Sequence, residues 1–133
     1  MFYFTKAVLP QMIRNRWGRA INIASMAGAA VGFPRLTHYS ATKAALVGFA
    51  RSLAPKVAQF NTAMSAVAPG PLETPGDHEG VPAEQLKVVR RLIPVGRVGK
   101  PQGMAGVVLF LASEEASFIA GQLVVADGGC VTQ

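Results

Sequence analysis

Tyr39 and Lys43 stand four residues apart in the stretch His38-Tyr39-Ser40-Ala41-Thr42-Lys43. On a helix that spacing puts both side chains on one side, one turn apart. The same side continues through Leu46, Val47, Ala50, Leu53 and Val57, an apolar stripe that must face a core. A lysine opening such a stripe needs a reason, because an ammonium is costly to take out of water. Its stem can lie along apolar surface with the head in water; alternatively, it serves the tyrosine one turn before it. A phenol alone is a poor proton donor or acceptor near neutrality. An ammonium held beside a phenol favours the phenolate, and the two together form a proton-exchanging unit. Upstream, Arg19-Ala20-Ile21-Asn22-Ile23-Ala24-Ser25 reads as a short buried strand ending in a hydroxyl, followed by the small-residue turn Met26-Ala27-Gly28.

The elements that must position these residues follow from the pattern on either side. Residues 2–14 carry Phe4, Ala7, Val8 and Met12 at helical spacing. Pro10 predicts a kink or a frayed first half, and Gly18 is placed to close the helix after Arg14 and Arg16. Strand 19–25 is apolar apart from Asn22, as in a parallel strand covered on both faces. Residues 26–38 read as a loop, and a central helix runs from 39 to 60 with Pro55 inside it. Residues 62–68 predict a second buried strand, left through Pro69-Gly70-Pro71. A glycine there permits close approach of backbone to a ligand, although an ordinary strand-exit turn reads the same way.

Residues 71–98 are too long for a simple connection and make a candidate lid. Within them, residues 82–92 read as a short helix with Glu84 near its start and Arg90 and Arg91 near its end. The two arginines complement the helix dipole; the competing reading has them meet an acidic substrate tail. An apolar helix at 101–113 and a strand at 121–126 follow, and Asp127-Gly128-Gly129 turns out of that strand, with Asp127 a turn residue. The order predicts an α/β fold, a three-stranded slab of a doubly wound parallel sheet joined by right-handed crossovers.

Composition bounds what such a slab can do. At 133 residues, half of them hydrophobic and 15% charged, the chain is one globular domain rather than a disordered segment. A net charge of +6 raises an anionic partner, but the basic residues are scattered and no aromatics interleave with them, so no nucleic-acid partner is expected. The single cysteine, Cys130, excludes a disulfide framework or a cysteine metal site within one chain. His38 and His78 lack partners at metal-ligand spacing, so no metal site is expected. No apolar run is long enough to span a membrane and no signal peptide is evident, which makes a cytoplasmic setting the expectation.

Four stretches, in order, are similar to short-chain dehydrogenases/reductases of the β-ketoacyl-reductase-like type. They are residues 21–28, residues 39–53, Val67-Ala68-Pro69-Gly70-Pro71-Leu72-Glu73-Thr74-Pro75, and Gly121-Gln122-Leu123-Val124-Val125-Ala126-Asp127-Gly128-Gly129. The resemblance spans nearly the whole chain, which matches only the carboxyl-terminal portion of the family's fold. It implies a partial Rossmann-like sheet, the last three strands with flanking helices, forming one domain over 1–133 with a substrate lid at 71–98. The implied activity is hydride transfer between NAD or NADP and a small-molecule carbonyl or secondary alcohol. Tyr39 would exchange the proton with the substrate oxygen, Ser25 would hydrogen-bond that oxygen, and Lys43 would support the phenol and grip the nicotinamide ribose. Pro69, Gly70, Leu72 and Thr74 would lie along the nicotinamide.

The sequence also departs from the family. Ser25 and Tyr39 are 14 apart, one more than the common spacing, and Ala63 and Ser65 stand where Arg and Asn are usual. The family's catalytic asparagine would precede Met1. Neither Gly-x-Gly-x-x-Gly nor the family's longer glycine spacing occurs, and Gly99-Lys100 is not a phosphate loop because Pro94 and Pro101 occupy its key positions. The expectation is therefore an oxidoreductase lacking its dinucleotide-binding half and inactive alone. The alternative is a non-catalytic oligomerisation or interaction module. The first strand, interior in the family, would present an open edge here, which predicts a homo-oligomer.

Overall fold

A computed structural model describes residues 1–74 and 83–132. His78, and the part of the predicted lid and its helix that falls on 75–82, lie outside the described residues. Helix α1 spans Phe2–Asn15 and continues through Pro10. It is closed by Arg16 in the left-handed region (φ 50°, ψ 37°), with Arg16 N–H donating to the Ile13 carbonyl and Trp17 N–H to that of Met12. Gly18 does not close the helix. It opens strand β1, Gly18–Ile23, where a Cβ would come within 2.6 Å of the Met12 side chain.

After a tight turn at Met26–Ala29, α2 spans Thr37–Val57, and a 3-10 turn, Ala58–Phe60, extends it to the predicted length. Asn61 turns left-handed (φ 54°) into β2, Thr62–Pro69. Helices α3, Ala83–Arg91, and α4, Pro101–Ala112, precede β3, Leu123–Ala126.

The sheet is parallel throughout, in the order β1-β2-β3, with Ile23 opposite Val67 and Pro69 opposite Ala126. Central β2 is buried from Thr62 to Ala68, so its side chains must alternate between two covered faces. Met64 and Ala66 point to one face, where Ala24 of the β1 exit and Val47 and Ala50 of α2 meet them. Val67 points to the other, against Leu111 of α4 and Ala116, with Ile21 and Val124 alongside. The result is the expected α/β layering, a sheet with helices on both faces.

One expectation fails. Both crossovers step the same way across the sheet, yet α2 and α4 cover opposite faces, so the two connections are of opposite hand. The right-handed rule describes short units in which strand twist feeds directly into the helix. The second connection instead makes a long excursion between Pro71 and Val98 before α4 begins, which releases it from that constraint.

At the amino ends of the strands, Arg19 ties the layers together with its side chain only 2% exposed. It donates to the carbonyls of Gly18 and Asn61 at 3.0 Å and of Ser113 at 3.4 Å, and to the Glu114 carboxylate at 3.3 Å. Its guanidinium lies 5.3 Å from the Trp17 ring centroid, and the Trp17 indole N–H donates to the same carboxylate.

Candidate active site

The opposite, carboxyl end of the sheet gathers the residues singled out in the sequence. The Ala24 N–H donates to the Val67 carbonyl at 2.7 Å, carrying the ladder one residue beyond β1 and setting Ser25 at its tip. Ser25 then caps the following turn, its Oγ accepting from Ala27 N–H at 3.2 Å. The turn is possible because Gly28 takes φ 83° and because it lacks a side chain: a Cβ there would lie 2.1 Å from the Ser40 carbonyl oxygen. Gly28 thus lets the Ser25 turn press directly on the first turn of α2, next to Tyr39. The thirteen residues between Ser25 and Tyr39 are taken up in this way, and the extra residue relative to the family spacing does not separate the two.

Two strand-to-helix hydrogen bonds fix the rotation of α2. Lys43 Nζ donates to the Ile23 carbonyl at 2.9 Å, and Asn22 Nδ2 donates to the Leu46 carbonyl at 3.0 Å. Asn22, the one polar residue in the predicted strand, is therefore a bracket between β1 and α2. The Lys43 ammonium sits 5.6 Å from the centroid of the Tyr39 ring. Tyr39 is 37% exposed, enough to meet a ligand.

On the neighbouring strand, Gly70 N–H donates to the Ala126 carbonyl at 3.0 Å, and a Cβ on Gly70 would come within 2.6 Å of Asp127 Cα. The glycine serves the close passage of the β3 exit. Asp127 is the turn residue expected, its carboxylate accepting from the N–H groups of Gly129 and Val131, each at 2.8 Å. Beyond Pro71 the chain departs on its excursion and returns at Gly99. Gly99 N–H donates to the Pro71 carbonyl at 2.9 Å and Glu73 N–H to that of Gly99 at 2.8 Å, with Leu72 bridged to Gly99.

These pieces enclose a cavity of about 540 Å³. Its wall includes every site residue expected from the sequence: Ser25, Tyr39, Lys43, Pro69, Gly70, Leu72 and Thr74. Sequence reasoning missed Glu73 and Val98 and preferred dipole complementation for Arg90; all three line the same cavity. An adjoining cleft shares Ser25, Tyr39 and Gly70 and is otherwise walled by apolar groups including Met26, Phe33 and Leu36. The serine and the tyrosine therefore stand between two spaces. No group of three metal-ligating side chains occurs among the described residues, and none of their helices is long and apolar enough to cross a membrane.

A crevice beyond the carboxyl ends of parallel strands, here lined by a serine, a tyrosine and a lysine one helical turn on, is where open α/β sheets bind their ligands. The chain belongs to the short-chain dehydrogenase/reductase family, β-ketoacyl-reductase-like, and its residues 1–131 match the family model described as enoyl-(acyl carrier protein) reductase. It is 41% identical over 131 residues to the 3-oxoacyl-[acyl-carrier-protein] reductase FabG of Thermotoga maritima, covering 98% of this chain and 52% of that protein. Against the FabG of Aquifex aeolicus the identity is 45% over 129 residues, covering 96% and 51%. A gluconate 5-dehydrogenase from Burkholderia cenocepacia, solved with NADP and tartrate, superposes with a TM-score of 0.92 at 28% identity, over 99% of this chain and 52% of that one. The chain spans about half the length of the curated relatives it matches.

Proposed function

We propose that this chain carries the proton-exchange and nicotinamide-facing half of an NAD(P)-dependent carbonyl reductase or secondary-alcohol dehydrogenase. The observation that supports it is the convergence of Ser25, Tyr39 and Lys43 on one cavity. The Ser25 oxygen already accepts from Ala27 N–H, so its own proton is left to donate to a substrate oxygen. Tyr39, on the same wall, exchanges a proton with that oxygen as its charge changes. Lys43 spends one of its three N–H groups on Ile23 and keeps two, for the phenol and for a ribose hydroxyl.

The cavity suits a nicotinamide: residues 69–72 offer a largely apolar wall, and Lys43 adds its ammonium to the lining, with Thr74 alongside. When bound, the nicotinamide supplies or takes up the hydride. The pyrophosphate has no glycine-rich turn in this sequence to receive it. The excursion between Pro71 and Val98 acts as the substrate lid, with α3 contributing Val89 and Arg90 to the cavity. The substrate is a small molecule bearing a carbonyl or secondary alcohol. The names of the relatives, 3-oxoacyl-[acyl-carrier-protein] reductase and gluconate 5-dehydrogenase, point to acyl groups and small hydroxy acids.

A second reading, an interaction module that works by association, is favoured by the exposed Phe2, Tyr3 and Phe4 on α1, at 57%, 82% and 81%. Both readings carry self-association in a cytoplasmic setting, so sedimentation at micromolar concentration should find an oligomer. Titrating NADH and NADPH fluorescence against the purified chain separates the two. Binding tighter than about 100 μM (roughly −5.5 kcal/mol) supports the enzyme half, and its absence supports the module.

A further inference from the structure

Helix α3 ends in two adjacent arginines that face different ways. Successive helical residues are rotated by about 100°, and here Arg91 lines a surface groove with Glu84 and Lys87, whereas Arg90 lines the cavity that holds Ser25, Tyr39 and Lys43. Dipole complementation accounts for a cation in the last turn of α3 but not for which of the two enters the cavity. The Arg90 guanidinium has no hydrogen-bond or ion-pair partner among the described residues, while the Lys43 ammonium is already engaged with Ile23. The one acidic side chain on the same wall, Glu73, makes no ion pair with it among the described residues. A guanidinium on the wall of a ligand cavity, its five donors uncommitted, is built to take a carboxylate or phosphate side-on.

Resting on the reading of this cavity as the reaction site, we propose that Arg90 is its specificity residue and that it reads an anionic group on the ligand. Such a ligand binds with the carbonyl toward Ser25 and Tyr39 and the anion toward α3. Glu73 sharpens the choice by repelling an anion that enters on its own side.

Two matched ligand pairs test this on the full chain, each followed by the backbone amide shifts of Ser25, Tyr39 and Gly70. Acetoacetate and acetoacetamide share the carbonyl and differ in charge. Nicotinamide mononucleotide and nicotinamide riboside share the ring and differ in the phosphate. The expected result is acetoacetate binding three- to fivefold tighter than acetoacetamide, the range of a solvent-exposed ion pair. Arg90→Gln should erase that preference, and Arg90→Lys should keep most of it. A preference confined to the nucleotide pair and lost in Arg90→Gln also supports the proposal, and assigns the anion to the cofactor. Equal affinity within both pairs, or a preference that survives Arg90→Gln, overturns it while leaving the reaction site standing. If none of the four ligands moves those amides, the reaction-site reading falls and the proposal falls with it.

Discussion

The Lys43 ammonium donates to the main-chain carbonyl of Ile23 at 2.9 Å. With the Asn22–Leu46 bond, this contact joins the strand that leads into Ser25 to the helix that presents Tyr39, so the lysine is a structural tie as well as a charged group. Lys43→Met should lower stability by about 1 kcal/mol, read from the urea midpoint, and should weaken reduced-cofactor binding. An unchanged midpoint would show that the tie carries no load.

Gly28 and Gly96 give a matched comparison. Both have positive φ, 83° and 75°, but a Cβ at Gly28 would collide with the Ser40 carbonyl, whereas one at Gly96 meets nothing within 4 Å among the described residues. Gly96→Ala should cost about 1 kcal/mol, the backbone penalty alone. Gly28→Ala should cost about 3 kcal/mol or more, because the Ser25 turn or α2 must also shift. Equal costs in thermal or urea unfolding would mean that the turn moves away freely.

Ser65 lies in β2 at 3% exposure, and its hydroxyl has no hydrogen-bond partner among the described residues. Burying an unpaired hydroxyl is unfavourable. Ser65→Ala should therefore be neutral or stabilising by up to about 1 kcal/mol, measured by urea unfolding. A clear loss of stability would reveal a partner for that oxygen.

Burial, and then the nearby Asp127 carboxylate, push the Cys130 thiol above its ordinary range. Its alkylation by iodoacetamide near pH 8 should be slower than that of free cysteine and should speed up on unfolding in urea. The folded chain holds this proton more tightly than the unfolded chain. The associated stability is complete below the unfolded thiol's range and is lost as pH rises through the folded value. Cys130→Ala should flatten that alkaline loss in urea midpoints taken across pH 7 to 11.

Local patterns made much of this legible. The β2 segment reads as a buried strand from its mostly apolar residues, and the Tyr39–Lys43 spacing by itself puts both groups on one side of α2. Ser25, Pro69, Gly70, Leu72 and Thr74 fell on strand exits, where the crevice of such a sheet lies. What escaped depends on distant partners. Arg19 looked like the first residue of a strand; its role comes from carbonyls at Asn61 and Ser113, far along the chain. Helix α1 ends at a left-handed Arg16 although Gly18 was available, because the glycine is needed for the passage over Met12. The opposite hand of the second crossover arises in a long excursion that carries no local handedness signal. The orientation of Arg90 depends on how α3 lies against the strand exits, which charge pattern alone does not encode.

The excursion that carries α3 leaves and returns through one doorway, held shut by paired main-chain contacts between Pro71, Leu72, Glu73 and Gly99. Anything hung between those posts can lengthen or change composition at a closure cost that grows only logarithmically with its size. On the proposed reading, a lineage could therefore exchange the molecule the cavity admits by rewriting this one appendage, while the strand exits beneath stayed untouched.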